Sequence, residues 1–242
     1  MQIQTRIIAN ERLWANIQTI TVTAPDLART IRPGQFVLAR APNNFDPYLR
    51  RVLIPLQTRD DQIQFAMDAA DPLVARAYPD AILDLLAPLG RAIHFDSNAR
   101  HILLATDGAR IAPLIFLAHA AIQSGRAVVL VARQTNASPI FPAALLPEEI
   151  EYHTTNENEA WMDADALAWA DAIYACGTRA AYRELFDAIS HARYRVPREF
   201  ARVWMEAAMP CGVGECFACA IESARGFALT CQHGPFFDLV DI

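Results

Sequence analysis

Lysine is absent: all 21 cationic residues among the 242 are arginine, set against 27 Asp and Glu for a formal net charge of −6. Without lysine there is no P-loop phosphate ligand, no Schiff-base amine and no lysine general base. The arginines are scattered and form no basic run, which argues against nucleic acid as a partner. No stretch reaches the roughly 18 apolar residues of a membrane span, and the opening Met1-Gln-Ile-Gln-Thr-Arg lacks the apolar core of a signal peptide. The expectation is a cytoplasmic protein with no membrane contact. Cysteine is missing from the first 175 residues; Cys176 stands alone and the other four fall in the last 32. An odd count gathered at one end is unlike the disulfide framework of a secreted domain. With 53% apolar and 20% charged residues, the chain is too apolar for disorder and long enough for one large domain or two.

The four late cysteines read Cys211-x4-Cys216-x2-Cys219-x11-Cys231, with Gly212 and Gly214 inside the first interval. Three thiols therefore lie on one short loop and a fourth returns from outside it. This is the plant-type ferredoxin spacing, in which four thiolates hold a [2Fe–2S] cluster. Small residues let the backbone wrap closely and aim amide N–H groups at the sulfurs. Structural zinc is the competing reading, although zinc sites usually present two separated C-x2-C pairs and only one occurs here. His233, two residues after Cys231, reads as a polar turn residue rather than a replacement ligand.

Along the chain, residues 2–9, 19–23, 35–39, 51–56 and 62–67 are rich in Ile, Val, Phe and Thr and are separated by Pro, Gly, Asn and Asp, including a turn at Ala41-Pro-Asn-Asn. An antiparallel barrel or sandwich is expected over residues 1–97. From about residue 98 the pattern alternates apolar strands (101–106, 127–133, 171–175) with helical stretches (112–124, 179–193), the signature of an α/β domain to residue 205. Residues 156–163 read as a charged surface connection, and 202–209 as a last strand leading into the cysteine segment, 206–242.

Cys211-Gly-Val-Gly-Glu-Cys-Phe-Ala-Cys and Cys231-Gln-His-Gly-Pro-Phe-Phe-Asp238 together resemble the electron-transfer subunits of the B-type dihydroorotate dehydrogenases, within the ferredoxin–NADP reductase superfamily. The likeness also includes Pro33-Gly34-Gln35-Phe36, Leu49-Arg50-Arg51, Pro88-Leu89-Gly90, Ala112-Pro113-Leu114 and Ala175-Cys176-Gly177, in that order. The resemblance implies a ferredoxin-reductase-like flavin barrel, a Rossmann-like α/β domain and a C-terminal [2Fe–2S] segment ligated by Cys211, Cys216, Cys219 and Cys231. It implies FAD near Arg51, Val52, Leu53, Ile54 and Gly90, and NAD near Gly108, Cys176 and Gly177. It further implies a hetero-oligomer with an FMN-containing catalytic subunit that oxidises dihydroorotate, with electrons passing through the cluster to FAD and then to NAD. Phe217, Phe236 and Phe237 are candidate docking contacts. No residue is expected to act on the substrate itself.

The chain departs from the family at four places. Arg51 is followed by Val52, Leu53 and Ile54, so the family's flavin-binding hydroxyl is missing. Ala70-Asp71 stands where the family has a Gly-Thr pair, and Ala87 where it has a Gly before Pro88; Asp71 would repel a diphosphate unless a cation intervenes. The glycine run before Ala112-Pro113 is Thr106-Asp107-Gly108-Ala109-Arg110-Ile111, where side chains tend to fill the space of a pyrophosphate while Arg110 either offers it a charge or plugs the site, so that retention and loss of nicotinamide binding both stay open. Two other readings stay open: a reductase subunit of another redox complex, or a cluster-bearing scaffold without flavin and nicotinamide.

Overall fold

The computed structural model describes residues 1–42, 47–108, 110–135 and 139–242. Asn43 and Asn44 of the expected turn, and Ala109 of the nucleotide-type loop, lie outside the described residues. The chain divides into two compact units: Met1–Ile93 with Glu206–Ile221 and Ala228–Pro235, and His94–Met205 with Glu222–Phe227 and Phe236–Ile242.

The first unit contains β1 (Gln2–Trp14), β2 (Ile17–Thr23), α1 (Pro25–Thr30), β3 (Phe36–Arg40), β4 (Arg51–Arg59), β5 (Gln62–Asp68) and β6 (Ile82–Leu89). The strands close into an antiparallel barrel in the order β1-β2-β5-β4-β3-β6. Its interior is filled by Ile20, Val22, Val37, Leu53, Ile63, Phe65, Leu83 and Leu85, all buried, while Phe36 and Leu38 face outward onto the cysteine segment. Of the barrel or sandwich expected, the barrel is what forms, and β6 closes it by pairing Ile3 with Leu85 and Thr5 with Leu83. The five expected runs omit β6 because Asp84 and Pro88 interrupt its β pattern.

Asp84 is the reason that strand is tolerated. Its side chain is only 3% exposed, yet it accepts from Gln2 Nε2 at 2.9 Å, Arg40 Nε at 3.0 Å and Arg50 Nη2 at 2.8 Å. Arg50 Nη1 also donates to the Asp84 carbonyl at 2.7 Å, so Arg50 is a pin of the barrel rather than a surface charge. A buried acid with this many donors is satisfied, whereas the same acid alone would be costly.

The second unit contains β7 (His101–Asp107), α2 (Ala112–Gln123), β8 (Ala127–Gln134), β9 (Ile150–Asn156), α3 (Ala164–Trp169), β10 (Ala172–Cys176), α4 (Arg179–Arg193) and β11 (Ala201–Trp204). The cysteine segment follows, with a hairpin of β12 (Ala220–Ser223) and β13 (Gly226–Leu229) and a single turn α5 (Thr230–His233), before the chain ends on β14 (Phe236–Asp238). The large sheet has the order β14-β11-β10-β7-β8-β9, parallel except for β14 at one edge. β7 is apolar on both faces, as a central parallel strand must be. α4 spans the expected residues, capped by Thr178 through the Ala181 N–H and burying Ala181, Tyr182, Leu185 and Ile189 on one face.

Three expectations are corrected. The strand expected over 202–209 ends at Trp204; Met205 and Met209 are buried without further pairing. The connection 156–163 is not wholly a surface segment, because Trp161 and Met162 turn inward and are buried. Phe236 and Phe237 are core residues of β14, Phe236 lying edge-on to Tyr174 and Trp204 at 6.0 and 5.3 Å. They are unavailable for docking. Among the described residues no helix is long and apolar enough to cross a membrane.

Burial alone would raise the Asp84 carboxyl, but its hydrogen bonds from Arg50, Gln2 and Arg40 outweigh that and hold it below the usual carboxylate range. Asp84→Asn is therefore expected to destabilise the chain by about 3 kcal/mol at neutral pH, measured by chemical denaturation. A lowered folded pKa contributes stability above roughly pH 4 and loses it as the pH falls through the folded value, so the wild-type and variant curves should converge in acid.

Candidate functional site

The cysteine loop is shaped by two glycines. Gly212 and Gly214 take left-handed backbone (φ 68° and 83°), a region that L side chains rarely enter. A Cβ on Gly212 would lie 2.6 Å from a Leu89 methyl and 2.7 Å from a Leu38 methyl; one on Gly214 would meet Gln232 Cγ at 3.0 Å. The loop backbone thus lies flush against the barrel wall. Cys219 and Cys231 are buried beside Phe36, Leu38 and Met209, with Val52, Leu86 and Leu89 packed around them. Thr230 fixes the return of the chain: its N–H and its hydroxyl both donate to the Cys219 carbonyl, at 3.1 and 3.0 Å. That brings Cys231 Sγ to 3.3 Å from Cys219 Sγ.

Cys211 and Cys216 form the other pair, with the Cys216 thiol hydrogen-bonded to Cys211. Burial alone would raise Cys211, but backbone N–H groups of Cys216, Val213 and Glu215 converge on its sulfur and lower it to about 6. Burial, and then the neighbouring Cys219 sulfur, push Cys231 up to about 11 against one favourable N–H from Gly214. The four sulfurs thus lie as two pairs, Cys211 with Cys216 and Cys219 with Cys231. Two pairs of thiols with amides aimed at them suit a two-iron cluster, where each iron takes two thiolates. His233 lies outside this set: its Nδ1 accepts the Leu229 N–H at 3.0 Å.

The residues expected around flavin are dispersed along the barrel. Arg51 Nε donates to Asp71 Oδ2 at 2.7 Å, and Asp71 Oδ1 accepts the Leu73 N–H. The cation that has to offset Asp71 is therefore Arg51 itself, and the two charges cancel. Leu53 is buried in the barrel and Ile54 half-buried, while Val52 packs on the cysteine core. Gly90 follows the β6 end that pairs with Phe36, whereas Arg51 pairs with Ala39 at the other end of β3. A Cβ on Gly90 would meet the Gly234 carbonyl and Pro235 at 3.0 Å, so Gly90 serves the approach of the cysteine segment and is not brought to Arg51.

In the α/β unit, Gly108, Cys176 and Gly177 do converge, at the carboxyl ends of β7 and β10. Thr106 and Cys176 are register partners, and Cys176 is fully buried. Asp107, the last residue of β7 and 6% exposed, is paired with Arg133 at 3.1 Å. Arg133 also meets Glu184 at 2.5 Å and lies over the Trp161 ring at 5.1 Å. Sequence reading did not find this cluster; the available signal was the alignment of the two apolar strands, which makes Asp107 and Arg133 register partners.

A closed six-stranded barrel, a parallel sheet and a terminal cysteine segment together define the ferredoxin-reductase-like fold. Among solved structures, it is similar to an NADH-dependent reduced ferredoxin-NADP oxidoreductase (TM-score 0.77, 20% identity, 98% of this chain and 88% of that one). It is also similar to phthalate dioxygenase reductase (TM-score 0.65, 14% identity, 92% and 87% covered). Residues 206–242 match the family model for the iron-sulfur cluster binding domain of dihydroorotate dehydrogenase B. Nearly the whole chain is similar to the dihydroorotate dehydrogenase B (NAD(+)) electron transfer subunit of Geobacillus kaustophilus, 28% identical over 95% of this chain and 94% of the relative. The subunit of the same name from Bacillus mycoides is 24% identical over 100% and 99%. The resemblance drawn from the cysteine motif is borne out.

Gly212→Ala is expected to cost about 2–4 kcal/mol, through backbone strain and the clash with Leu38 and Leu89. Gly125 is also left-handed (φ 74°) but has nothing within 4 Å, so Gly125→Ala should cost only about 1 kcal/mol. Thermal denaturation of the two variants separates the contact from the backbone term.

Proposed function

We propose that this chain is a cytoplasmic electron-transfer subunit carrying FAD and a [2Fe–2S] cluster, paired in a hetero-oligomer with an FMN-containing catalytic subunit of the dihydroorotate dehydrogenase type, in pyrimidine biosynthesis. The observation that carries the proposal is the pairing of four thiols on a glycine loop seated against a ferredoxin-reductase-like barrel. Cys211 and Cys216 would hold one iron and Cys219 and Cys231 the other. A bound cluster supplies one-electron transfer, and a flavin couples that to two-electron chemistry. The protein's part is to hold the sulfurs, direct amides at them and expose one edge of the loop.

That edge is apolar. Phe217 is 68% exposed in left-handed backbone (φ 56°), beside exposed Cys216 and Val213. It is the docking contact that survives of the three expected. For the flavin, Arg51, its side chain 38% exposed although paired with Asp71, is the barrel cation left to meet the diphosphate. The residues at the α/β switch point do not fit the dinucleotide in the relatives' names, and no electron step is assigned to it.

Anaerobic purification followed by iron, sulfide and flavin analysis tests this reading. About two irons and two sulfides per chain are expected, with stoichiometric FAD, and Cys216→Ser should lose most of the iron. Zinc in place of iron overturns the proposal, and iron without flavin reduces it to a cluster-bearing scaffold. Phe217→Ala should keep both cofactors yet slow electron transfer with the catalytic subunit about tenfold in stopped-flow, the effect of losing one apolar interface anchor.

A further inference from the structure

We infer that the α/β unit of this chain does not take up a dinucleotide, and that Asp107, locked to Arg133 at the switch point of the sheet, is the residue that excludes it. In the order β14-β11-β10-β7-β8-β9, the chain builds outward from β7 in both directions. The switch point lies between β7 and β10, and the crevice at the carboxyl ends of such strands is where an open α/β sheet binds a dinucleotide. A diphosphate there needs unengaged backbone amides, a side-chain-free approach and positive potential. At the β7 and β10 ends the structure engages the first amides, fills the approach and sets a negative cluster beside it.

The first amide of the turn is engaged. Gly108 makes the turn after β7 with φ 74°, but its N–H donates to the Arg133 carbonyl at 3.0 Å, tying the turn to the end of β8.

The approach is filled. A Cβ on Gly177, at the end of β10, would lie 2.9 Å from Asp107 Cβ and 3.3 Å from Trp161 Cη2. Trp161 is only 1% exposed. The space over the Gly177 backbone is occupied by the Asp107 methylene and the Trp161 indole. The Gly177 N–H donates to the Tyr182 hydroxyl at 2.9 Å.

The potential is unfavourable. Asp107 accepts from Arg133 Nε at 3.1 Å through Oδ1 and from the Thr178 hydroxyl at 3.2 Å through Oδ2. Arg133 donates to Glu184 as well, and Glu184 is held in place by the Trp161 N–H at 3.0 Å. One guanidinium thus stands between two carboxylates, and the cluster carries net negative charge. A diphosphate placed beside Asp107 meets a carboxylate whose guanidinium partner is already shared with Glu184, so charge repulsion adds to steric exclusion.

This inference concerns the α/β unit alone and narrows the electron-transfer reading without depending on it. The test is isothermal titration of the purified full chain with NADH and with NAD+, together with visible spectra after addition of NADH or dithionite. Neither nucleotide should bind with a Kd below ~1 mM, the upper end of working dinucleotide affinities, and NADH should leave the spectrum unchanged while dithionite bleaches it. A Kd below ~0.1 mM, or bleaching by NADH, overturns the inference. Asp107→Gly removes the carboxylate and leaves Arg133 paired with Glu184; NADH affinity should rise at least ~10-fold, about 1.4 kcal/mol. If the wild type is silent and a folded Asp107→Gly remains equally silent, the assignment to Asp107 fails. A chain that purifies without iron and flavin would sink the electron-transfer reading and leave the titration fully readable.

Discussion

Leu38 and Leu89 stand 2.7 and 2.6 Å from the point where a side chain on residue 212 would begin, and the placement of the sulfurs follows from that contact. With no Cβ at 212, the loop backbone lies on the barrel wall, and the inner cysteines are carried into the cluster of Phe36, Leu38 and Met209. The outer cysteines remain at the rim, where Cys216 is exposed. One seat therefore produces two environments: an apolar one around Cys219 and Cys231, and an amide-rich one around Cys211. The wall must itself be fixed for this to work. β3 and β6 supply it, and the Asp84 network joins β6 to Gln2, Arg40 and Arg50.

The absence of lysine has a structural counterpart. Arginine presents several donors in a rigid plane and can serve two acceptors at once, and the inner arginines are used in that way. Arg50 holds both the side chain and the carbonyl of Asp84, and Arg133 spans Asp107 and Glu184. Arg51 is matched by Asp71. The guanidinium groups beside the expected flavin and dinucleotide positions are thus already compensated by acids of the same unit. Around the sulfurs the chain uses backbone N–H donors instead, which carry no counter-charge and follow the loop wherever the glycines allow it to go.

The parts of the molecule legible in the sequence are those fixed by local pattern. The cysteine spacing, the apolar run of β7 and the periodicity of α4 each depend on residues a few positions apart. What escaped depends on partners far along the chain. β6 contains an acid that only Gln2, Arg40 and Arg50 make tolerable, so its own composition reads as a break. Trp161 sits among charged neighbours and goes inward because Arg133 lies over its ring. Phe236 and Phe237 follow the cysteine motif and look like exposed contacts until β11 pairs with them. Asp107 was visible as a departure, but its effect depends on its register with Arg133.

A sheet whose crevice is filled still has a mechanical consequence for the sulfurs. The chain leaves β11 at Trp204 and re-enters on β14 at Phe236, and these two residues are register partners on adjacent strands. All four clustered cysteines lie on the excursion between them. Closing so long a loop by itself would carry an entropic cost that grows with its length, and the β11–β14 pairing holds both of its ends on adjacent strands. The edge-on packing of Phe236 against Tyr174 and Trp204 secures that pairing from within the α/β core. The need to hold the ends of the cysteine segment thus gives the α/β unit a structural reason to keep its sheet intact when its switch point is occupied by Asp107, Arg133 and Trp161.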